Sequence, residues 1–308
     1  HGVPHLTMAQ LRFFRHAEVV DCMAVASLVY DRGNEARMRR IARGMIQGID
    51  ANQARHLARG AHDLGLQLSD LVQVGGVDAG DPLSALDHDR VVILDTETTG
   101  VNPSRDEIIE IAAVRVLHGV PSDRPEDRLS VLLKNTVPVG NSEAVHHISD
   151  AHLEANGVPP KAAFSALASF IGDDPIAGHN VGFDLGMLEA HGIRVGSRFS
   201  LSIAYDTLSL SRRLIDTPRH DLGSLVRLLE LPIQPTHRAM DDVLATAELA
   251  RALREKSHPK SAERIAWLHA HQAPFDRLRQ ALDTWAALTL RPGDLIRELN
   301  SKLMRHKV

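Results

Sequence analysis

Val91, Val92, Ile93 and Leu94 form an apolar run without polar interruption, the pattern of a strand buried on both faces in the middle of a covered sheet. Two longer β-prone runs follow, Ile108 to His118 and Leu129 to Val137, and a short apolar strand is expected at Ile176-Ala177-Gly178. Small and apolar residues recurring at three and four predict helices from Leu11 to Leu71, and again over Lys161 to Ile171, Gly182 to His191, Asp221 to Glu230 and Met240 to Glu255. Past Ser257 the chain is helical and basic, with Trp267, Leu278, Leu282, Trp285, Leu288 and Leu290 as its apolar positions. Pro274 and the Arg291-Pro292-Gly293 turn divide that stretch into three pieces.

Strands come first and βα alternation later, which predicts an α/β fold with a mixed sheet flanked by helices. Between Gln73 and Asp89 the apolar periodicity stops and Gly75, Gly76, Gly80, Asp81 and Pro82 cluster, the composition of a linker. The expected organisation is a helical accessory region over 1–72, a linker over 73–87, a main domain over 88–256 and a basic helical region over 257–308.

With 44% hydrophobic and 24% charged residues, the composition is that of a globular protein and excludes disorder over the full length. No run of about 18 apolar residues appears, so no membrane span is expected, and a cytoplasmic location is the expectation. A single cysteine, Cys22, excludes an internal disulfide framework and any cysteine-rich zinc site. Its neighbours Met23, Ala24 and Val25 suggest a buried thiol. The net charge of −4 conceals a gradient: residues 1–86 balance, 87–256 carry −8, and 257–308 carry +4. A strongly acidic domain that handled nucleic acid would have to offset its own field, and bound divalent cations are one means.

The apolar strand ends in Asp95-Thr96-Glu97-Thr98-Thr99-Gly100. Side chains two apart on a strand point to one side, so Asp95 and Glu97 project together about 6 to 7 Å apart along the backbone and invite a hard divalent cation. For an isolated pair the alternative is a hairpin tip with solvated acids. A second acid, Asp184, follows a short strand and Gly178-His179-Asn180, in the first turn of an expected helix. A third cluster is Thr236-His237-Arg238-Ala239-Met240-Asp241-Asp242. His237 and Asp242 would be about 140° apart on an ideal helix, so they face one site only if His237 lies in the loop before it. Pro232 and Pro235 favour such a loop.

Taken in chain order, Asp95, Glu97, Asp184, His237 and Asp242 resemble the motifs of the DEDDh-type 3′-to-5′ exonucleases, a family that includes proofreading subunits of bacterial replicative polymerases. The resemblance covers roughly residues 88–254. Ala144 to Ile148 is similar to the family's His-Gly-Ile segment, with His147 where the family commonly has glycine, and Tyr205-Asp206-Thr207-Leu208 is similar to its Asp-Thr-Leu strand. The resemblance implies a ribonuclease-H-like mixed sheet of five strands, with the helical stretches at both ends as extensions. It also implies two divalent cations, Mg²⁺ or Mn²⁺, held by Asp95, Glu97, Asp184 and Asp242. Two such cations can assist attack on an anionic phosphorus and stabilise the departing 3′-oxygen. His237 would take the proton from the attacking water, a role suited to histidine, which ordinarily titrates near about 6.5. No tyrosine follows Tyr205, so the tyrosine-using variant of the superfamily cannot be built from the third motif.

By the same resemblance Thr98, Thr99, His146 and Phe183 face the terminal nucleotide, while Asp206 is structural and Asp241 a helix-start acid. The implied activity is release of nucleoside 5′-monophosphates from a nucleic-acid 3′ end, DNA favoured and RNA or oligoribonucleotides the alternative. A non-catalytic domain that binds nucleic acid or a partner is the other alternative, and the helical regions at either end are where a protein partner would dock. Residues Tyr30 to Asp63 also resemble the helical cap of phosphoserine-phosphatase-like hydrolases, but that family's Asp-x-Asp-Gly loop is missing from the chain and nothing is carried over. Within Tyr30 to Asp63, Arg37, Arg39, Arg40 and Arg43 form a basic run, expected as a solvated helix face with Met38 and Ile41 turned inward; nucleic-acid contact is the alternative.

Overall fold

A computed structural model describes residues 15–198 and 201–287. The chain divides into two compact units, residues 83–259 and residues 1–82 together with 260–308. Leu288, Leu290 and the Arg291-Pro292-Gly293 turn lie outside the described residues, as does the start of the first expected helix at Leu11.

The 83–259 unit is built on a mixed sheet. Its strands are β1 (Arg90–Thr98), β2 (Ile108–Leu117), β3 (Val120–Pro121), β4 (Arg128–Leu132), β5 (Ile176–Gly178) and β6 (Ile203–Asp206). Both β3 and β4 pair antiparallel with the outer edge of β2, so six strands fill five positions in the order β3/β4, β2, β1, β5, β6. The β1–β2 pair is antiparallel, whereas β1–β5 and β5–β6 are parallel. As the apolar run requires, β1 is central and Val91 to Leu94 are all at most 1% exposed.

Alternation along the strands assigns each residue to a layer. Val91 and Ile93 of β1 join Ala112, Val114 and Val116 of β2 in a core that includes Val243, Ala247 and Leu253. Those three belong to a helix over Ala239–Ser257. Val92 and Leu94 join Ile111 and Ala113 on the opposite face, beneath Phe164, Leu167, Met187 and Leu188. The period of 2 in the strands is thus what separates the two helical layers.

The helices of this unit, numbered from the fourth in chain order, are α4 (Glu143–His146), α5 (Asp150–Asn156), α6 (Pro160–Ile171), α7 (Val181–Arg194), α8 (Thr207–Leu214), α9 (Leu222–Leu228) and α10 (Ala239–Ser257). α6, α7, α9 and α10 fall where periodicity placed them, and Asp221 caps α9 by accepting from Ser224 N at 2.9 Å. The third strand is shorter than expected. Beyond Leu132 its backbone turns to Val158, whose carbonyl accepts from Lys134 N at 2.9 Å. Thr207-Leu208, expected in a strand, open α8 instead, because Asp206 caps it and accepts from Leu208 N at 3.2 Å.

Residues 73–87, expected as a linker, carry short 3₁₀ turns over Gly76–Ala79 and Ser84–Asp87, and Leu83 and Leu86 are buried in the core beneath α10. In the other unit, α1 (Ala17–Tyr30), α2 (Glu35–Ala42) and α3 (Ala51–Asp63) share one apolar core with α11 (Ser261–His271) and α12 (Asp276–Ala287). Met38 and Ile41 point into it, leaving Arg39, Arg40 and Arg43 exposed. Asp81 and the buried Arg264 form a two-point ion pair there, at 2.7 and 2.6 Å. Cys22 is exposed rather than buried, because α1 turns Ala24 and Leu28 inward, and Cys22 is about 160° from Ala24 and about 120° from Leu28 around the helix.

His147 ends α4 in the left-handed region, with φ 59 and ψ 28. A glycine takes this conformation without steric cost, which gives a backbone reason for the glycine common there in the resembled family. Histidine at this exposed position carries a penalty that glycine avoids, partly offset by glycine's looser unfolded chain. His147→Gly is expected to stabilise the protein by roughly 0.5–1 kcal/mol in urea unfolding; destabilisation would mean that the histidine side chain makes compensating contacts.

Candidate active site

Asp95 and Glu97 continue the odd-numbered face of β1, the face that α10 covers. Asp242 lies in the first turn of α10. Oxygens of these three carboxylates all lie within 4.8 Å of one another. The β1–β2 register shifts at this point: Glu110 opposes Glu97 and Ile108 opposes Thr98, leaving Ile109 as an extra residue. Such bulges bend a strand and re-aim its side chains, and this one falls beside the acidic cluster.

His237 lies in the loop before α10, where its five-residue separation from Asp242 allows both to face one site. One oxygen of Asp242 organises that loop, Oδ1 accepting from Thr236 N at 3.0 Å and His237 N at 3.2 Å. His237 is exposed and has a left-handed backbone, φ 59. Asp241 points to the Thr236 hydroxyl, which donates to it at 2.6 Å, and so braces the same loop from outside the carboxylate cluster.

Asp184 approaches from the other layer. It sits in the first turn of α7, is 3% exposed, and accepts from Thr96 Oγ1 at 2.7 Å. Thr96 faces away from Asp95 and Glu97, so this hydrogen bond ties α7 to the even-numbered face of β1. Asp184 is not one of the three clustered carboxylates, but after burial it is the strongest of the neighbours that push up the Asp95 carboxyl.

The charges oppose their own assembly. Burial, then repulsion from Asp184, Glu97, Asp242 and Glu110, holds Asp95 well above the usual carboxylate range. Burial, then Asp242 and Glu110, raises Glu97 to about 8. Burial raises Asp184 to about 7 despite the stabilising hydrogen bond from Thr96. Asp242 is also raised, chiefly by burial. Carboxylates in this condition take up either protons or a cation, and an all-oxygen donor set suits a hard divalent ion.

One residue that the sequence did not single out completes the surroundings. Glu110, 2% exposed, receives Arg238 Nε at 3.1 Å, Arg238 Nη2 at 2.9 Å and Ala239 N at 3.2 Å. It therefore caps the start of α10 and engages the Arg238 guanidinium beside the cluster. The available signal was an acid inside the apolar run Ile108-Ile109-Glu110-Ile111, since a buried charge needs a partner.

The other expected site residues lie at the end of β1 and in the turn after it, at the end of α4 and in the first turn of α7. Thr98 Oγ1 donates to Gly100 O at 2.8 Å, and Thr99 Oγ1 accepts from Glu107 N at 3.0 Å, so both hydroxyls hold the turn after β1. His146 is 1% exposed; its Nδ1 accepts from Ile148 N at 3.1 Å, which leaves the ring proton on Nε2, 3.1 Å from Ser142 Oγ. Burial lowers its pKa and favours the neutral ring. Phe183 packs, partly buried, against the core beneath α7. His179 is held by Thr207 Oγ1 at 3.0 Å and His220 O at 2.9 Å, and Asp206 accepts from Asn180 N at 2.7 Å, a structural use of that acid.

Glu97 supplies a pH test. Below about 4.5 the carboxyl is protonated in both folded and unfolded chains, so it contributes no pH-dependent difference. As pH rises toward 8 the unfolded chain releases the proton while the folded one keeps it, and stability falls. In chelator, Glu97→Gln is therefore expected to be more stable than the parent by a margin that widens between pH 5 and 8, reaching on the order of 2–4 kcal/mol. Thermal melts across that range check it; a margin independent of pH would show that Glu97 is not held protonated.

Comparison with known proteins agrees with this geometry. Residues 92–250 match the RNase_T family, described as exonuclease. The chain is 33% identical over 163 residues to a PolC-type DNA polymerase III of Staphylococcus saprophyticus, a match covering 51% of this chain and 11% of the polymerase. The corresponding Staphylococcus epidermidis polymerase is 31% identical over 184 residues, 56% of this chain and 12% of that one. The chain thus spans about a tenth of the length of these relatives. Among solved structures, the zinc-bound form of an E. coli ExoI–ssDNA complex superposes with a TM-score of 0.50 at 21% identity, over 57% of this chain and 42% of that one. E. coli Exonuclease I with a dA16 oligonucleotide gives 0.50 at 20%, over 60% and 44%. These two likenesses concern the fold. The family match spans the sheet, the three clustered carboxylates, Asp184 and the His237 loop, and on that match the chain belongs to the RNase_T exonuclease family.

Proposed function

We propose that the protein is a divalent-metal-dependent 3′-to-5′ exonuclease that releases nucleoside 5′-monophosphates, with DNA the favoured substrate. The observation that carries this reading is the convergence of Asp95, Glu97 and Asp242, from two different elements, with oxygens within 4.8 Å of one another. Membership of an exonuclease family supports it, as does the likeness to polymerases whose chemistry concerns DNA.

In this reading Asp95, Glu97, Asp184 and Asp242 hold two divalent cations, Mg²⁺ or Mn²⁺. Bound there, such ions would polarise the scissile phosphate and stabilise the leaving 3′-oxygen. The chain's own residues do the rest. His237, exposed at the mouth of the cluster, accepts a proton from the attacking water on a ring nitrogen, which requires the neutral imidazole. The Oδ1 atom of Asp242 keeps the His237 backbone at a fixed distance from the carboxylates. Glu110 holds Arg238, so the guanidinium does not neutralise the cluster in place of a cation. The turn braced by Thr98 and Thr99, together with Phe183, contacts the terminal nucleotide, and the buried His146, with both ring nitrogens engaged, supports that surface from beneath.

The polarity is read directly with 5′-labelled single-stranded DNA. In Mg²⁺ or Mn²⁺ it is expected to shorten stepwise from the 3′ end with release of nucleoside 5′-monophosphates, and to stop in excess chelator. Early loss of the 5′ label, internal cuts, or binding without turnover would each refute the proposed activity. The same assay on an RNA of equal sequence ranks the two substrates.

The role of His237 is separable from that of the acids. His237→Ala is expected to lower turnover by about 10² to 10⁴ and to abolish the fall in rate on the acid side of the pH profile. Metal dependence should survive, because the carboxylates remain. Unchanged turnover with the same acid limb at saturating metal would remove His237 from the mechanism.

A further inference from the structure

Apart from the carboxylate site, a second concentration of like charge lies on the helical unit. Arg39, Arg43, Arg55, Arg59 and His62 line a cleft of about 280 Å³, floored by Ala54, Ala58 and Leu68 and with Asp63 at its edge. All four arginines are exposed. Arg39 and Arg43 come from α2 and its C-cap, Arg55 and Arg59 from α3. On each helix the pair is four residues apart, about 6 Å along the axis and on one face. The cleft therefore presents two short facing rows of guanidinium groups.

Structural duties account for few of these charges. Arg39 pairs with Glu35 at 2.7 Å, and Arg55 reaches Asn52. Among the described residues, Arg43 and Arg59 form no ion pair. Like charges four apart on a helix cost a few tenths of a kcal/mol, and the two rows also repel across the cleft. Arg39 and Arg43 gain from the C-terminal end of α2, but Arg55 and Arg59 lie within α3 and have no such compensation. Small apolar side chains on the floor leave room for ligand atoms between the rows. Guanidinium forks at such spacing suit successive phosphates rather than a single carboxylate.

We propose that this cleft binds the phosphate backbone of single-stranded nucleic acid, as a surface separate from the carboxylate site. The choice of nucleic acid over other polyanions rests on the exonuclease reading above. Contacts of this type are independent of sequence, and each phosphate neutralised on a single strand contributes about −0.7 to the slope of log K against log salt.

The test is fluorescence anisotropy of a labelled dT oligonucleotide with the full chain, in chelator so that nothing is cut, from 0.05 to 0.3 M salt. Arg43→Ala/Arg59→Ala is expected to reduce the slope by about 1.4 and to weaken binding ~20-fold at 0.1 M salt. Arg277→Ala, an exposed arginine of the same unit that does not line the cleft, should bind as the parent does. Melting temperatures of the variants verify folding, since both replaced side chains are exposed. In Mg²⁺ or Mn²⁺, hydrolysis of the p-nitrophenyl ester of thymidine 5′-phosphate, whose single phosphate cannot occupy two surfaces at once, should be equal in parent and double variant. Unchanged DNA affinity and slope in the double variant would overturn the proposal. So would arginine-dependent binding to phosphatidylserine vesicles without binding to DNA, or a parallel loss of ester hydrolysis. If the parent binds DNA through these arginines yet hydrolyses neither ester nor DNA, the cleft is supported and the exonuclease reading fails.

Discussion

The protein's central constraint is electrostatic: carboxylates that repel one another are held together by packing that has nothing to do with charge. β1 is buried on both faces, so its course is set by Val91 to Leu94, and the acids at its end have no freedom to separate. Asp242 is delivered to them by α10, whose Val243, Ala247 and Leu253 are locked into the sheet. Asp184 is delivered from the opposite layer by α7, anchored through Met187 and Leu188. Hydrophobic contact, worth roughly 1.5–3 kcal/mol per large side chain, is abundant enough to sustain repulsion of a few kcal/mol at one corner.

Repulsion alone would still loosen the start of α10, and Glu110 bears on that weakness. Its carboxylate takes a helix-terminal N–H and both prongs of Arg238, so the helix is pinned where it meets the cluster. The same contact keeps the Arg238 guanidinium turned toward a buried partner. Glu110 is buried while Arg238 is partly exposed, so the pair adds little net stability, but loss of Arg238 would leave a buried charge uncompensated. Its importance is to the geometry.

The sequence made the centre of this arrangement legible and left its edges obscure. The uninterrupted β1 run and the alternation of later segments were sufficient for the α/β class, and α6, α7, α9 and α10 followed from periodicity and capping residues. Asp95 and Glu97 share a face because of the strand period, and the proline-flanked loop before α10 permits His237 and Asp242 to share a site. Short elements were missed. α4 is a single turn, too short for a periodic signal, and the 3₁₀ turns at 76–79 and 84–87 have none; α5 and α8, as long as α9, were not singled out. Glycines around 75–82 read as a linker, yet Leu83 and Leu86 are core residues, since burial of an isolated leucine depends on partners distant in sequence. Glu110 was hidden for the same reason: its partner, Arg238, lies 128 residues away. Cys22 shows the converse error, an apolar neighbourhood along the chain that is not one in space.

One oxygen of Asp242 is already committed to the backbone of its own loop, which bears on isosteric replacement. Oδ1 is committed to the N–H groups of Thr236 and His237, which can only donate. An asparagine in its place would keep its carbonyl on those donors, because the opposite flip sets amide hydrogens against amide hydrogens. The NH₂ group would then take the place of Oδ2, and the residue would lose its negative charge beside Asp95 and Glu97. Burial and then that charge raise the Glu97 carboxyl most, so the repulsion at the corner would ease. An amide at 242 would thus keep the loop's two donors engaged while lessening the corner's demand for a positive charge or a proton.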